Sequence, residues 1–257
     1  GMLHGSDGFV MSKSRGNVVL PEVVSKKYGI DTARLFLVSV ASPDKDAFWS
    51  DKGIEGSLRF INKVINYFEN LKIEKADAKI ESKLNKTIKE VTEDIDNFRY
   101  NLAVIRIRDL FNSLPEKTSK EVLEKSLKLL HLFCPHITEE LWEKLGNKGF
   151  ISLEKWPIAD EKKIDEKLEK QEQAVEKLAE DINHVVRLVR EKQDKSASKA
   201  FIYVLPNELN DYKDNLDLIK KKTELEIEIY SVADKSKYDP KNKSKKAKPG
   251  KPGIYLE

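Results

Sequence analysis

The string Val10-Met11-Ser12-Lys13-Ser14-Arg15-Gly16-Asn17 holds the most concentrated chemistry in the chain. Ser12 and Ser14 flank one lysine, and Gly16 permits dihedrals that other residues avoid. Such a loop can place an ammonium against phosphate oxygens, where Lys13 would stabilise charge developing on a pyrophosphate leaving group. Composition alone fits an ordinary polar turn before a helix as well; only the order of the residues separates the two. A second concentration is residues 235–251, with eight lysines and one acid, Asp239, hence +7 in a chain of net +3. Lysines set against phosphates release counterions on binding. A solvated flexible loop has the same composition, so both readings stay open.

Other candidate sites are weaker. Cys134, His131 and His136 lack metal-ligand spacing, so no metal site is expected and Cys134 reads as a small core residue. Trp49, Trp142 and Trp156 read as core anchors. Phe201 and Tyr203 lie two apart on a strand-like run, which suits base stacking or half-burial equally. Arg99 and Arg106 are seven apart and can share a helix face, whereas Arg108 points away from Arg106. An RNA contact or an intradomain ion pair suits them, as it does Arg187 and Arg190.

These residues need elements to hold them. Residues 1–17 read as polar loop. Asp31 is placed to cap a helix carrying Leu35, Phe36, Leu37 and Val38, which Ser42-Pro43-Asp44 ends. Over 51–157, apolar residues recur at helical spacing in five stripes. They are Leu58 to Phe68, Ile80 to Phe98, then Leu102, Ile105, Leu110 and Leu114 before Pro115, then Val122 to Phe133, and a shorter one carrying Leu141, Trp142 and Leu145. Burying them calls for an antiparallel helix bundle. One long amphipathic pattern follows over 160–193, and Ser196-Ala197-Ser198 loosens the chain. Strands are expected at 200–205, 224–230 and 253–256, with a helix over 207–222. The expected fold is mainly α: a segment over 1–50 holding the loop and the short helix after it, a helical domain over 51–157, a long connecting helix over 158–195 and a small α+β domain over 196–257.

Composition narrows the class. Of 257 residues 39% are hydrophobic and 35% charged, lean but sufficient for packed cores. One cysteine cannot form an intrachain disulfide, which excludes a secreted disulfide scaffold. The run Leu35 to Ala41 is too short to span a bilayer. A soluble, cytoplasmic chain is the expectation, and its abrupt loop-like start is expected to be the inside of something longer.

The order Met11-Ser12-Lys13-Ser14-Arg15-Gly16-Asn17 resembles the Lys-Met-Ser-Lys-Ser signature of class I aminoacyl-tRNA synthetases, with Val10 in place of its first lysine. Tyr28-Gly29-Ile30-Asp31-Thr32-Ala33-Arg34 is similar to the segment that follows that signature. Ala41 to Asp51, and Pro135-His136-Ile137-Thr138-Glu139-Glu140-Leu141-Trp142, resemble the leucyl, isoleucyl and valyl branch, most closely the leucyl members. The ending Pro252-Gly253-Ile254-Tyr255-Leu256-Glu257 resembles the archaeal type.

The resemblance implies the C-terminal part of an enzyme that uses ATP, with Mg2+, to join leucine to its tRNA. It assigns ATP contact to Met11, Ser12, Lys13 and Ser14, with Lys13 catalytic. Ser12 and Ser14 would shape the loop, Asn17 would fix its turn, and Asp31 and Arg34 would hold the segment beneath it. tRNA contacts would fall to Arg99, Arg106, Lys243, Lys245, Lys246 and Lys248. Its partners would be leucine tRNA and an N-terminal catalytic and editing portion, in cis or as a separate subunit, with no membrane. The family's His-x-x-His ATP motif is not supplied by His4-Gly5, so the chain alone is expected to form no leucyl-adenylate. Rival readings are a free-standing, non-catalytic tRNA-binding protein and a valyl or isoleucyl synthetase fragment.

Overall fold

A computed structural model describes residues 1–193 and 197–257. The chain divides into two compact units, Gly1–Asp165 and Glu166–Glu257. The division therefore precedes the long helix, where 157/158 is the expected boundary. The expected break at 195/196, with Ser196, lies outside the described residues.

In the first unit, β1 (Leu3–His4) pairs in parallel with β2 (Ala47–Phe48), which anchors a start expected to be loop alone. Between them lie α1 (Pro21–Tyr28) and α2 (Ile30–Val40). Pro21 opens α1, where a missing N–H costs nothing. Val24, Tyr28, Ala33 and Phe36 form a small core with Ile54. The bundle follows as α3 (Asp51–Asn70), α4 (Ala78–Asp96), α5 (Tyr100–Ser113), α6 (Lys120–His131) and α7 (Pro135–Lys144). Two-residue strands β3 (Lys72–Ile73) and β4 (Lys117–Thr118) pair in parallel across its loops. Ser50, Asp77 and Ser119 cap α3, α4 and α6, each accepting from the backbone N–H three residues on. Ile61, Val64, Leu84, Ile88, Val104, Ile107, Leu110, Leu127 and Leu141 meet in one core.

Two expectations are corrected here. On α5, Leu102 and Ile105 are 38% and 51% exposed, while Ala103, Val104, Ile107, Leu110 and Phe111 are buried. The wider face through 103, 104, 107, 110 and 111 is continuous, whereas the face through 102 and 105 runs into Asp109. The long helix begins at Glu166, not near 160. Residues before it return along α4, where buried Asn85 accepts from Asp160 N at 2.8 Å and buried Ser82 from Asp165 N at 2.8 Å. Buried polar groups require such partners.

The second unit holds α8 (Glu166–Gln193), β5 (Lys199–Val204), α9 (Leu209–Lys213), α10 (Leu216–Thr223), β6 (Glu226–Ser231) and β7 (Gly253–Leu256). The helix expected over 207–222 is thus two short ones. Strand order is β6-β5-β7, with β5 parallel to β6 and antiparallel to β7. Ala200, Ile202 and Val204 face a core with Val175, Leu178, Ile182 and Ile219, so α8 is a core helix of this unit rather than a bare connector. Phe201 and Tyr203 are buried on the opposite face, which removes them as an open stacking platform. Among the described residues no helix is long and apolar enough to cross a membrane.

Candidate functional site

Lys13–Arg15 makes one 3-10 turn, entered by an extended Ser12 and left through Gly16 at φ 69°. Asn17 closes the loop. Its Oδ1 accepts from Ser12 N at 2.8 Å, and its Nδ2 donates to both oxygens of Asp7 at 3.1 and 3.2 Å and to the Val10 carbonyl at 3.3 Å. The Ser12 and Ser14 hydroxyls lie 3.2 Å apart. Arg15 covers the Phe9 ring at 4.6 Å. Lys13 is exposed and has no carboxylate partner among the described residues. The loop thus presents one uncommitted ammonium on a cross-braced backbone, an arrangement suited to phosphate oxygens.

The neck of the loop is tied to β1. Met11 N donates to the Leu3 carbonyl at 2.9 Å, and Val10 bridges to His4. His4 joins the Gly8 carbonyl at 2.9 Å and Asp46 at 3.2 Å; the carbonyl first, then the carboxylate, raises its pKa above the ordinary value. The Phe9 N–H, then Asn17, lowers that of Asp7. His4, Gly5 and Asp7 have no role in the sequence reading. The signal available was the Gly5-Ser6-Asp7-Gly8 turn immediately before the signature.

Asp31 does not cap its own helix; Gly29 holds that position. The buried Asp31 carboxylate instead accepts from Ile137 N at 2.8 Å and meets His136 Nδ1 at 2.9 Å, so it caps α7 from α2. One turn on, Arg34 donates to the carbonyls of Leu132 and Phe133 at 3.3 and 3.4 Å. The two residues grip both sides of the α6–α7 corner, with orphan donors on one and orphan acceptors on the other. Glu139 fastens the next segment, accepting from Ile151 N at 2.9 Å and Ser152 N at 3.2 Å.

Arg99 and Arg106 come together on one carboxylate. Arg99 Nε reaches Asp94 at 2.9 Å and Arg106 Nε reaches it at 2.6 Å, with Glu93 and Glu90 completing the network. Asp94 is 1% exposed, so these guanidiniums neutralise a buried charge. Arg108 donates to Ser57 Oγ at 2.9 Å. Cys134 is buried, and burial pushes its thiol pKa up. His131 bonds Thr138 Oγ1 at 2.7 Å.

The lysine-rich segment of the second unit is built rather than slack. Asp239 accepts from Lys243 N at 2.7 Å and Ser244 N at 3.0 Å, a 3-10 turn spans Lys243–Lys246, and Lys248 and Lys251 pair around Gly250. Tyr203 Oη donates to the Tyr238 carbonyl beneath it. A Cβ on Gly253 would lie 2.3 Å from the Lys243 carbonyl, so glycine lets the segment sit on β7. Lys241, Lys243 and Lys246 border a groove of about 800 Å³ with Tyr255 and Glu257. Lys243, Lys245, Lys246 and Lys248 have no carboxylate partner among the described residues.

Comparison with known proteins matches residues 77–205 to the anticodon-binding domain of tRNA ligase and residues 1–50 to tRNA synthetases class I (I, L, M and V). Leucine–tRNA ligase of Thermosipho melanesiensis is 38% identical over 192 residues, covering 65% of this chain and 23% of that protein. The Thermotoga maritima leucine–tRNA ligase is 38% identical over 191 residues, 64% of this chain and 23% of that one. The chain therefore spans about a quarter of the length of these relatives. The crystal structure of the Agrobacterium radiobacter K84 LeuRS ternary complex with tRNA and LeuAMS superposes with a TM-score of 0.57 and 26% identity, over 64% of this chain and 24% of that one. The bundle and the helix after it thus carry a family match over half of the chain, and the chain belongs to the family of the anticodon-binding domain of tRNA ligase, with its first 50 residues matching tRNA synthetases class I.

Proposed function

We propose that this chain is the signature-loop and tRNA-contacting part of a leucine–tRNA ligase, an enzyme that activates leucine with ATP and transfers it to tRNA. The observation that carries the reading is Lys13, an unpaired ammonium on the braced loop Met11–Ser14. Lys13 steadies the triphosphate as pyrophosphate leaves, while Ser12 and Ser14 hold the turn and offer hydroxyls. The loop residues fit a polyphosphate: they offer a cation, hydroxyls and backbone N–H groups rather than carboxylates. Mg2+ would come with the triphosphate, and the proposal asks no ligand for it from this chain.

The rest of the catalytic and editing body is supplied in cis or as a separate subunit. Two features of residues 1–50 favour such a partner. Met2, Phe9, Leu20, Val23 and Phe48 expose large apolar surface, and β1–β2 is a parallel pair of two residues each. Parallel strands are stable chiefly when covered on both faces.

tRNA contact falls mainly to Lys243, Lys245, Lys246 and Lys248, which have charge to spare. Arg99 and Arg106 are spent on Asp94 and enter the proposal only as contacts that must exchange partners first. Backbone contacts position RNA without specifying bases. The test is binding of the purified chain to leucine tRNA and isoleucine tRNA across a salt series. Preference for the leucine tRNA that weakens when the four lysines become alanine supports the proposal. Absence of binding to either at low salt sinks its tRNA part.

A further inference from the structure

We infer that Asp7 and Gly5 are positioning residues that set the shape of the Lys13 loop through Asn17. The inference rests on the proposed role of Lys13 and goes one step behind it. An amide side chain has two nearly isosteric ends, and only its partners decide which way it faces. A carboxylate accepts and cannot donate, so both oxygens of Asp7, at 3.1 and 3.2 Å and closer than the Val10 and Phe9 carbonyls at 3.3 and 3.4 Å, hold the Asn17 Nδ2 on their side. That turns Oδ1 toward Ser12 N, which it meets at 2.8 Å immediately before the Lys13 turn. With the amide reversed, two donors would face each other at Ser12 and two acceptors at Asp7. Asp7 is itself fixed by the Phe9 N–H, which donates to its Oδ1 at 3.1 Å.

Gly5 is the second half of the clasp. A Cβ there would lie 2.9 Å from Asp7 Oδ1 and 3.4 Å from both Asn17 Nδ2 and the Asn17 carbonyl. Gly5 is buried, and its N–H donates to the Phe9 carbonyl at 2.8 Å, so the backbone has little room to retreat. A side chain at this position forces the Asp7 carboxylate to shift from where it meets Asn17. Lys13 sits beyond the clasp and touches none of it.

The experiment uses the full chain and its Asp7→Ala, Asp7→Asn, Gly5→Ala and Lys13→Ala variants. Hydrogen exchange of the Ser12 amide reads the clasp, and titration with inorganic tripolyphosphate reads the loop. Asp7→Ala and Gly5→Ala are expected to speed Ser12 exchange by up to about tenfold, the worth of one hydrogen bond. Asp7→Asn, which keeps an acceptor, restores much of the protection. Asp7→Ala also weakens tripolyphosphate binding. Plain electrostatics predicts the reverse, because removing an acid favours an anion. Unchanged Ser12 exchange in Asp7→Ala, or tighter tripolyphosphate binding, overturns the inference. Lys13→Ala separates the two layers: it weakens tripolyphosphate binding and leaves Ser12 exchange alone. If the parent chain binds no tripolyphosphate while the exchange pattern holds, the clasp stands and the assigned role of Lys13 fails.

Discussion

At the scale of residues, Lys13 and His4 show how one loop uses a free charge and a paired one. Lys13→Ala in a full-length enzyme carrying this segment is expected to lower leucine-dependent pyrophosphate exchange about 10²–10³-fold, the usual cost of losing one transition-state contact. tRNA affinity should hardly change; equal losses in both assays would refute the assigned role. His4 is different, since the Gly8 carbonyl and then Asp46 favour its protonated form. A raised folded pKa means that the contribution is complete below pH 6.5 and is lost as pH climbs through the higher midpoint. An NMR titration of the His4 ring should give a midpoint above 6.5, and Asp46→Asn should bring it down. The chemistry of Lys13 could be read from residue order. The pairing of His4 with Asp46 could not, because 42 positions separate them and only the β1–β2 register brings them together.

At the scale of elements, the α2 grip on the α6–α7 corner joins the signature segment to the bundle. Asp31→Ala leaves the Ile137 N–H without its acceptor at the start of α7, at a cost of about 1–3 kcal/mol. Trp49, Trp142 and Trp156 all lie in the first unit, so urea unfolding followed by tryptophan fluorescence reports that unit alone. The same measurement tests the face of α5. Ile107→Ala should cost about 2–5 kcal/mol, while Ile105→Ala, at a half-exposed position, should cost far less. Similar costs would put the helix in the wrong rotation. The five bundle helices were legible because their stripes are long. The rotation of α5 was not, because it is apolar on two overlapping faces and only neighbours choose between them.

At the scale of the whole molecule, the positive charge is gathered in one segment of the second unit. If four lysines there contact phosphates, their removal should reduce the slope of log affinity against log salt by about 3. An unchanged slope would mean that tRNA is held elsewhere. The sequence established the presence of the lysines but not whether they form an arm or a surface. The Asp239 cap on the Lys243 turn and the close approach of Gly253 to the Lys243 carbonyl decide that, the second by seating the segment on β7.

What the sequence by itself determined was local or ordered by type. The signature string, the helical periodicity and the alternation of β6 follow from contacts a few residues apart. The tertiary structure alone decided where unpaired polar groups found partners. Asp31 went to α7, Asn85 and Ser82 to the segment before α8, Arg99 and Arg106 to Asp94, and Asp7 to Asn17. A buried donor or acceptor must be satisfied, but which group satisfies it depends on what packing brings within about 3 Å.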